Sequence, residues 1–233
     1  MDKSSNAVLF GKDIHTRRPI ASLTKVMTAI LILENHDLDE VLQVDREATK
    51  VEGKKAWLLA NEEFTVRDLM QMLLIHSAND SAVALAIYDS GSVDEFVVKM
   101  NLRAKELGLK DTQFKNPHGL DEEGHYASAY DMGLMAGFLL NEKSGFVRET
   151  VGTKELVKIS RNIRKRHFIR NTNELLFERG SKFIGIKTGT TDEAGQCLIS
   201  LYQDGGKELI VVVLHSDQRF TETKEIVKEI VMR

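Results

Sequence analysis

The chain has 233 residues, with 42% hydrophobic and 29% charged side chains and a formal net charge of −3. This composition is typical of one substantial globular domain, and its acidic balance gives no electrostatic case for a nucleic-acid partner. No apolar run approaches the roughly 18–20 residues of a membrane-spanning helix, and the single cysteine, Cys197, excludes an internal disulfide.

The first elements predicted along the chain are a strand and a buried helix. The short apolar run at residues 7–10 favours a strand. Pro19, a residue that helices tolerate in their first turn, then indicates a helix start. From Ser22 to about Glu34 the apolar side chains recur at helical spacing, and they are dense enough to predict burial on most sides.

The middle of the chain is predicted to be helical. A capping-box-like pattern at Thr65 and Asp68 opens a helix that runs to a polar corner at residues 77–79, and a second helix follows. Two more helices are predicted to begin after Ser92 and Ser128, because each serine has an acidic residue three positions further on.

The last third of the chain is predicted to consist mainly of strands. Residues 182–189, 195–202 and 208–214 favour strands, and residues 219–232 form an amphipathic helix. Strands at both ends with helices between them predict an α+β fold, in which N- and C-terminal strands form an antiparallel sheet and helices pack on it. No repeat or linker indicates a second domain, so residues 1–233 are predicted to be a single domain.

Ser22 and Lys25 form the first of three motifs that carry chemistry, Ser-x-x-Lys. Positions i and i+3 lie on one face of a helix, so the hydroxyl and the amine would be within reach of each other. A serine becomes a nucleophile when a base takes its proton, and lysine is such a base when desolvation lowers its pKa. The apolar helix around the pair supplies that desolvation. Taken alone, a surface serine and a solvated lysine are the simpler interpretation.

Two further motifs occur downstream. Ser77 and Asn79 interrupt an apolar helical region, where the hydroxyl could relay a proton and the amide could bind a substrate peptide, although a helix cap is the simpler interpretation. Lys187, Thr188 and Gly189 end an apolar strand, where a cation and a hydroxyl could bind a carboxylate and the glycine admits substrate backbone. The three motifs together are the set found in β-lactamases and penicillin-binding proteins.

With their surroundings, these motifs resemble the low-molecular-mass penicillin-binding proteins that act as D-alanyl-D-alanine carboxypeptidases. Residues 19–29 are similar to the nucleophile helix of that family, residues 107–120 to its mid-domain turn, and residues 187–195 to its third motif. The resemblance runs from about Val8 to the final helix. It implies a β-lactamase/DD-peptidase-like fold with a helical subdomain beside the sheet.

The resemblance also implies a role for each motif residue. Ser22 would attack the carbonyl of the penultimate D-alanine, Lys25 would act as its base, and Ser77 would help return a proton to the departing D-alanine. The oxyanion would lie between backbone N–H groups of Ser22 and Thr190. The residues implied to bind substrate are Asn79, Lys187, Thr188, Gly189 and Thr190.

The partners implied by the resemblance are a peptidoglycan stem peptide ending in D-Ala-D-Ala and the β-lactam antibiotics, with no metal or cofactor. The location implied is extracytoplasmic, although residues 1–6 lack the layout of a signal peptide. Only 21 residues precede Ser22, where the family usually has a further strand and an export signal. We therefore expect either a missing edge strand or a chain shortened at its N-terminus, and no β-rich second domain.

Several alternatives are open at the level of sequence. Residues 170–176 look at least as much like the D,D-endopeptidases, which cut cross-links. A class A β-lactamase would have a glutamate three positions before Leu140 and Asn141, where this chain has Gly137. A penicillin-binding sensor that keeps its acyl group would retain the same motifs.

Two readings outside this enzyme class receive less support. The histidines, among them His118 and His125, are scattered without the spacing of metal ligands. The basic stretch at residues 161–170 could favour nucleic acid or an anionic glycan, but a solvated face near the substrate groove is the simpler interpretation.

Overall fold

The computed structural model describes residues 1–232, apart from the side chain of Ser144. The helices are α1 (Lys25–Asn35), α2 (Val66–Gln71), α3 (Asn79–Ser90), α4 (Val93–Glu106), α5 (Ala129–Asn141), α6 (Ser144–Gly152) and α7 (Arg219–Val231). The strands are β1 (Val41–Gln43), β2 (Glu63–Thr65), β3 (Glu155–Ile159), β4 (Arg166–Arg170), β5 (Phe183–Thr191), β6 (Gly195–Asp204) and β7 (Lys207–Ser216). Among the described residues, no helix is both long and apolar enough to cross a membrane.

Helix α1 lies at the centre of the helical part of the molecule. Every residue from Lys25 to Leu33 is buried, and the helix contacts α3, α4 and α5. A 3-10 turn, Ala21–Thr24, leads into it. The sequence therefore predicted this buried helix correctly, and the one polar side chain at its start, Lys25, is buried along with the apolar ones.

Helices α2 and α3 meet at an irregular corner. Thr65 and Asp68 form the predicted capping box at the start of α2. The chain then continues as a π-helical turn, Met72–His76, and Ser77 adopts the left-handed conformation with φ 65°. Such turns and left-handed non-glycine residues occur often at functional sites. The sequence predicted the two helices and the corner, but not the π-helical turn.

The main sheet consists of the three C-terminal strands, with β6 paired antiparallel to both β5 and β7. Helices α5 and α6 pack on this sheet from the side of the helical body, and α7 contacts β6 and β7. Alternation along β7 supplies an apolar face to α7, where Val227 packs with Leu209, Val211 and Val213. An antiparallel sheet with helices packed on it confirms the predicted α+β class.

The prediction of a strand at residues 7–10 is wrong. This segment forms no strand, and the N-terminal contribution to the main sheet is instead a bridge from Asp2 to Leu209 on β7. The Asp2 carboxylate accepts backbone N–H groups of Ser4 and Ser5 at 3.1 and 2.8 Å. These bonds close a turn, and the carbonyl oxygen of Ala7 accepts the backbone N–H of Asp2 at 2.8 Å, so the segment folds back on Asp2 and does not pair with β7.

Two short antiparallel strand pairs and one helix were not predicted. Strands β1 and β2 have three residues each, too few to show a period of two. Strands β3 and β4 carry a clear alternation of exposed and more buried residues, but β4 lies within the basic stretch at residues 161–170, which was interpreted only as a solvated face. Helix α6 begins at Ser144, after only two intervening residues from the end of α5 at Asn141.

Candidate active site

Ser22 and Lys25 are hydrogen-bonded to each other at the start of α1. Lys25 Nζ donates to Ser22 Oγ at 2.8 Å, to Asn79 Oδ1 at 2.7 Å and to the His118 carbonyl oxygen at 2.7 Å. A protonated lysine has three N–H groups, so these acceptors account for all of them. When the amine is neutral, it retains two N–H groups for Asn79 and His118, and its lone pair is left to face Ser22 Oγ.

The pKa of Lys25 is lowered to about 7, mainly because the amine is buried. The carboxylate of Asp80 opposes this shift, and the positive charge of Lys54 adds to it. Burial favours the neutral form because the charged form loses its hydration. The neutral form of Lys25, a free base beside the serine hydroxyl, is therefore accessible near neutral pH.

Asn79 joins the second motif to the first. Besides its bond with Lys25, the side chain donates through Nδ2 to the Glu52 carbonyl oxygen at 2.8 Å. Ser77 lies two residues earlier in the corner and is 4% exposed. Helix α3 has Ala78 at its N-cap and no capping side chain. Neither Ser77 nor Asn79 therefore caps α3 with its side chain, although Ser77 ends the preceding π-helical turn as its C-cap residue.

Gly189 brings strand β5 against the turn that carries Ser22. A Cβ atom at Gly189 would lie 2.9 Å from Ala21 Cβ and 2.9 Å from the backbone nitrogen of Ser22. Separations of this size leave no room for a side chain, so the close approach depends on glycine. The third motif is thus in direct contact with the first.

Lys187 and Thr188 precede this contact on β5 and are buried, with 1% and 4% of their surface exposed. Lys187 Nζ donates to the Thr188 carbonyl oxygen at 3.0 Å. The Thr188 hydroxyl is hydrogen-bonded to that of Thr172, which lies in the segment that resembles the endopeptidases. Thr190, at the strand end, is exposed.

Positive charge accumulates around Lys187. Burial lowers its pKa well below the ordinary value, and the charges of Lys25, Lys54 and Arg219 lower it further. The carboxylate of Asp80 offsets part of this charge at Lys25, whose pKa it raises, but it is absent from the charges that act on Lys187. A cleft with concentrated positive charge attracts an anionic ligand.

Arg219, in the first turn of α7, is a site residue that the sequence did not reveal. Its Nη1 donates to the Gly189 carbonyl oxygen at 2.8 Å and to Thr190 Oγ1 at 2.7 Å. Its Nε is buried and has no hydrogen-bond partner within residues 1–232. A single arginine after an apolar strand has no distinguishing local pattern, so only the fold brings it to the motif.

The backbone before Ser22 is held in an unusual conformation by side chains of the mid-domain loop. Ala21 has φ 48°, a left-handed value that is rare for alanine. Its carbonyl oxygen accepts from Thr24 Oγ1 at 2.8 Å, and this hydroxyl lies 2.7 Å from His125 Nε2. The Lys115 N–H donates to His125 Nδ1, so Nε2 carries the proton and donates to Thr24. Burial lowers the pKa of His125 to about 4, which keeps the ring neutral.

Comparison with known proteins assigns the chain to a family. The sequence model of peptidase family S11, the D-alanyl-D-alanine carboxypeptidases, matches residues 1–218. The chain belongs to this family. The resemblance inferred from the three motifs is therefore confirmed.

Two relatives and one solved structure show the extent of the similarity. The D-alanyl-D-alanine carboxypeptidase DacF of Bacillus subtilis is 42% identical over 219 residues, which are 91% of this chain and 55% of DacF. DacD of Escherichia coli, also a D-alanyl-D-alanine carboxypeptidase, is 34% identical over 93% of this chain and 57% of its own length. This chain thus spans just over half of these S11 relatives.

The crystal structure of the Streptomyces K15 DD-transpeptidase matches with a TM-score of 0.92 and 30% identity, over 100% of this chain and 95% of that one. This agreement confirms the DD-peptidase-like fold expected from the motifs.

Proposed function

We propose that this S11 chain is a serine-type D-Ala-D-Ala carboxypeptidase, which removes the terminal D-alanine from peptidoglycan stem peptides. The observation that carries the proposal is the 2.8 Å hydrogen bond between Lys25 Nζ and Ser22 Oγ, with a lysine pKa of about 7. A nucleophile is thereby in contact with a base that is available near neutral pH.

In the acylation step, Ser22 Oγ attacks the carbonyl carbon of the penultimate D-alanine and Lys25 takes its proton. The negative charge that develops on the carbonyl oxygen is stabilised by the backbone N–H groups of Ser22 and Thr190. The contact that Gly189 allows between β5 and the serine turn supports this assignment. Removing one donor of such a pair typically costs about 3–4 kcal/mol of transition-state stabilisation.

Breakdown of the tetrahedral intermediate transfers a proton to the departing amine. We assign this transfer to Ser77, which gives its hydroxyl proton to the amine and takes the proton that Lys25 accepted from Ser22, with the help of Lys187. The C–N bond breaks as D-alanine leaves with the proton, and Lys25 is again neutral. Asn79 orients the peptide that remains as an ester on Ser22. Water then hydrolyses the ester and restores the free hydroxyl, with no metal or cofactor in the cycle.

The terminal carboxylate of the substrate is assigned to the positively charged end of the cleft. Lys187, Thr188 and Arg219 lie together there, and a carboxylate can accept several charge-assisted hydrogen bonds at once. A β-lactam carries a carboxylate beside its reactive carbonyl, so it would bind in the same way and leave a slowly hydrolysed ester on Ser22.

The substrate determines where the protein would work. Peptidoglycan lies outside the cytoplasmic membrane, so we propose an extracytoplasmic location on the wall side. We also propose that residues 1–233 act as one catalytic domain, because the residues assigned to the reaction come from both the helical part and the sheet.

Labelling with fluorescent penicillin tests the nucleophile. The wild-type protein and the control Ser4→Ala, which changes an exposed serine, are expected to be labelled, whereas Ser22→Ala is not. Labelling that survives Ser22→Ala would disprove the assignment. Release of D-alanine from a diacetyl-lysyl-D-Ala-D-Ala peptide is the matching activity assay.

The same assays separate the alternatives. Labelling without D-alanine release would favour a penicillin-binding sensor, and fast hydrolysis of penicillin would favour a β-lactamase. Faster cleavage of a cross-linked peptide dimer than of the free stem peptide would favour an endopeptidase.

A further inference from the structure

Lys54 is a positively charged residue beside the site that the proposed reaction leaves without a role. Its carbonyl oxygen accepts the backbone N–H of Asn79 at 2.7 Å, and the preceding residue, Gly53, packs against the Asn79 side chain. A Cβ atom on Gly53 would lie 2.8 Å from Asn79 Nδ2. The loop that carries Lys54 is therefore in direct contact with the residue assigned to orient the substrate peptide.

This loop is held in a fixed position by Asp80. The Asp80 carboxylate accepts the backbone N–H groups of Ala56 and Leu58, each at 3.0 Å. These bonds bury the carboxylate and occupy its oxygens. Asp80 therefore anchors the loop and is not available at the surface as a counter-ion for Lys54.

The ammonium of Lys54 has no hydrogen-bond or ion-pair partner in the described part of the chain. Desolvation lowers its pKa, and no carboxylate raises it. Lys182 shows the contrast, because its bond with Asp204 raises the pKa of the lysine. An unpaired cation next to a substrate cleft attracts an anionic group of the substrate.

The positive charge of Lys54 extends into the cleft. It lowers the pKa of Lys25, of His76 and of Lys187, which lie on three different elements around the site. The terminal carboxylate of the substrate supplies one negative charge, which the proposed mechanism already assigns to Lys187 and Arg219. Lys54 therefore remains as a positive charge without a counterpart on the substrate.

We propose that Lys54 binds a second carboxylate of the substrate, carried by the side chain of the residue that precedes D-Ala-D-Ala. Lys54 lies on the Asn79 side of the cleft, where the peptide that becomes the acyl group is assigned, and its flexible stem can follow a side chain of variable length. The enzyme would then prefer stem peptides whose third residue ends in a free carboxylate. This inference rests on the proposed carboxypeptidase function and names its substrate class.

Three synthetic peptides test it, each of the form acetyl-X-D-Ala-D-Ala, where X is 2-aminoadipate, its side-chain amide or acetyl-lysine. The first two differ only in charge. We expect the wild-type enzyme to show a kcat/KM about two- to fivefold higher for the acid than for the amide, as for partly exposed ion pairs. The preference should weaken as salt rises, because ions screen the pair.

Variants of the adjacent residues Lys54 and Lys55 then test which lysine causes the preference for the acid over the amide. Lys54→Met should remove it and Lys54→Glu should reverse it. Lys55→Met is the matched control, because Lys55 Nζ lies 5.0 Å from the centre of the Trp57 ring, and this variant should keep the wild-type preference. The ratio between acid and amide is an internal measure, so a general change in activity does not alter its meaning.

Two failures are distinguishable. Equal rates for the acid and the amide in the wild type, or a preference that survives Lys54→Met, would overturn the role of Lys54 and leave the carboxypeptidase proposal intact. Loss of both hydrolysis and penicillin labelling would overturn the proposed function and this inference with it. If turnover is slow, the same ratio is measured by competition of the peptides against fluorescent-penicillin labelling.

Discussion

A Cβ atom on Gly119 would lie 1.9 Å from the carbonyl oxygen of Ala21, the residue before the candidate nucleophile. The same carbonyl oxygen accepts the hydroxyl of Thr24, and the residue before Gly119 supplies the carbonyl group that binds Lys25. The mid-domain loop therefore supports the serine turn and the lysine together. Its glycine is required by space as well as by its φ of 91°.

Gly119→Ala is therefore expected to damage the site and the fold. Gly108→Ala is the control, because Gly108 also has a positive φ of 73° but no atom within 4 Å of the added Cβ. The control should cost about 1–2 kcal/mol, the price of left-handed backbone in alanine. Gly119→Ala should cost about 4 kcal/mol or more and abolish penicillin labelling. Equal losses in thermal denaturation would contradict the packing argument.

The rate of acylation should increase with pH through about 7. The base is the neutral amine of Lys25, whose pKa is about 7, so protonation at lower pH removes the base. Because the charge of Lys54 helps to lower this pKa, Lys54→Met should move the rise to higher pH. The measurement is the second-order rate constant for penicillin labelling between about pH 5 and 9. A profile that is flat over this range would exclude Lys25 as the titrating base.

Arg219→Met should weaken binding of substrates that end in a carboxylate. Loss of a charge-assisted hydrogen bond of about 1.5–3 kcal/mol predicts a KM higher by roughly ten- to a hundredfold. A peptide with a C-terminal amide should show little further loss. Lys224→Met, on the same helix but paired with the exposed Glu178, is the control. Equal effects on the acid and the amide would show that Arg219 only supports the strand.

Two hydrogen-bonded carboxylates, one buried and one exposed, should differ in their contribution to stability. Glu62 and His167 are 0% and 1% exposed, and they join the loop before β2 to strand β4. Glu62→Gln breaks a buried pair and should lower the free energy of unfolding by about 3 kcal/mol. Glu178→Gln, in an exposed pair with Lys224, should cost less than about 1 kcal/mol. Chemical denaturation of both variants measures the difference, and similar losses would refute it.

The parts of the site that could be predicted from sequence were local. Ser22 and Lys25 are three residues apart, and that spacing alone places them on one helical face. The contact of Gly189 with the serine turn followed from the family resemblance, since no spacing rule joins residues so distant in the chain. Arg219 and the carbonyl group of His118 could not be predicted, because a lone arginine and a loop carbonyl have no sequence pattern.

The failure at residues 7–10 has a similar cause. Apolar residues form a strand only where a strand edge lies beside them. The antiparallel bridge from Asp2 to Leu209 lies near the start of β7, so the residues that follow Asp2 run past the end of that strand. The sequence of a segment determines its preference for a strand conformation, whereas the strand edge with which it can pair depends on the whole fold. The α+β class could be predicted because it depends on the order of many segments and not on any one of them.

Lys25 is hydrogen-bonded to Asn79 and His118, which lie 54 and 93 positions further along the chain. This separation has a consequence for folding during synthesis. Contacts that span such separations form late, after the local helices. A nascent polypeptide that has emerged only as far as residue 180 already holds its serine and lysine, yet it has no strand β5 to complete the pocket. The time at which a refolding sample first reacts with penicillin would therefore indicate when the native topology has formed, independently of the helix content of the sample.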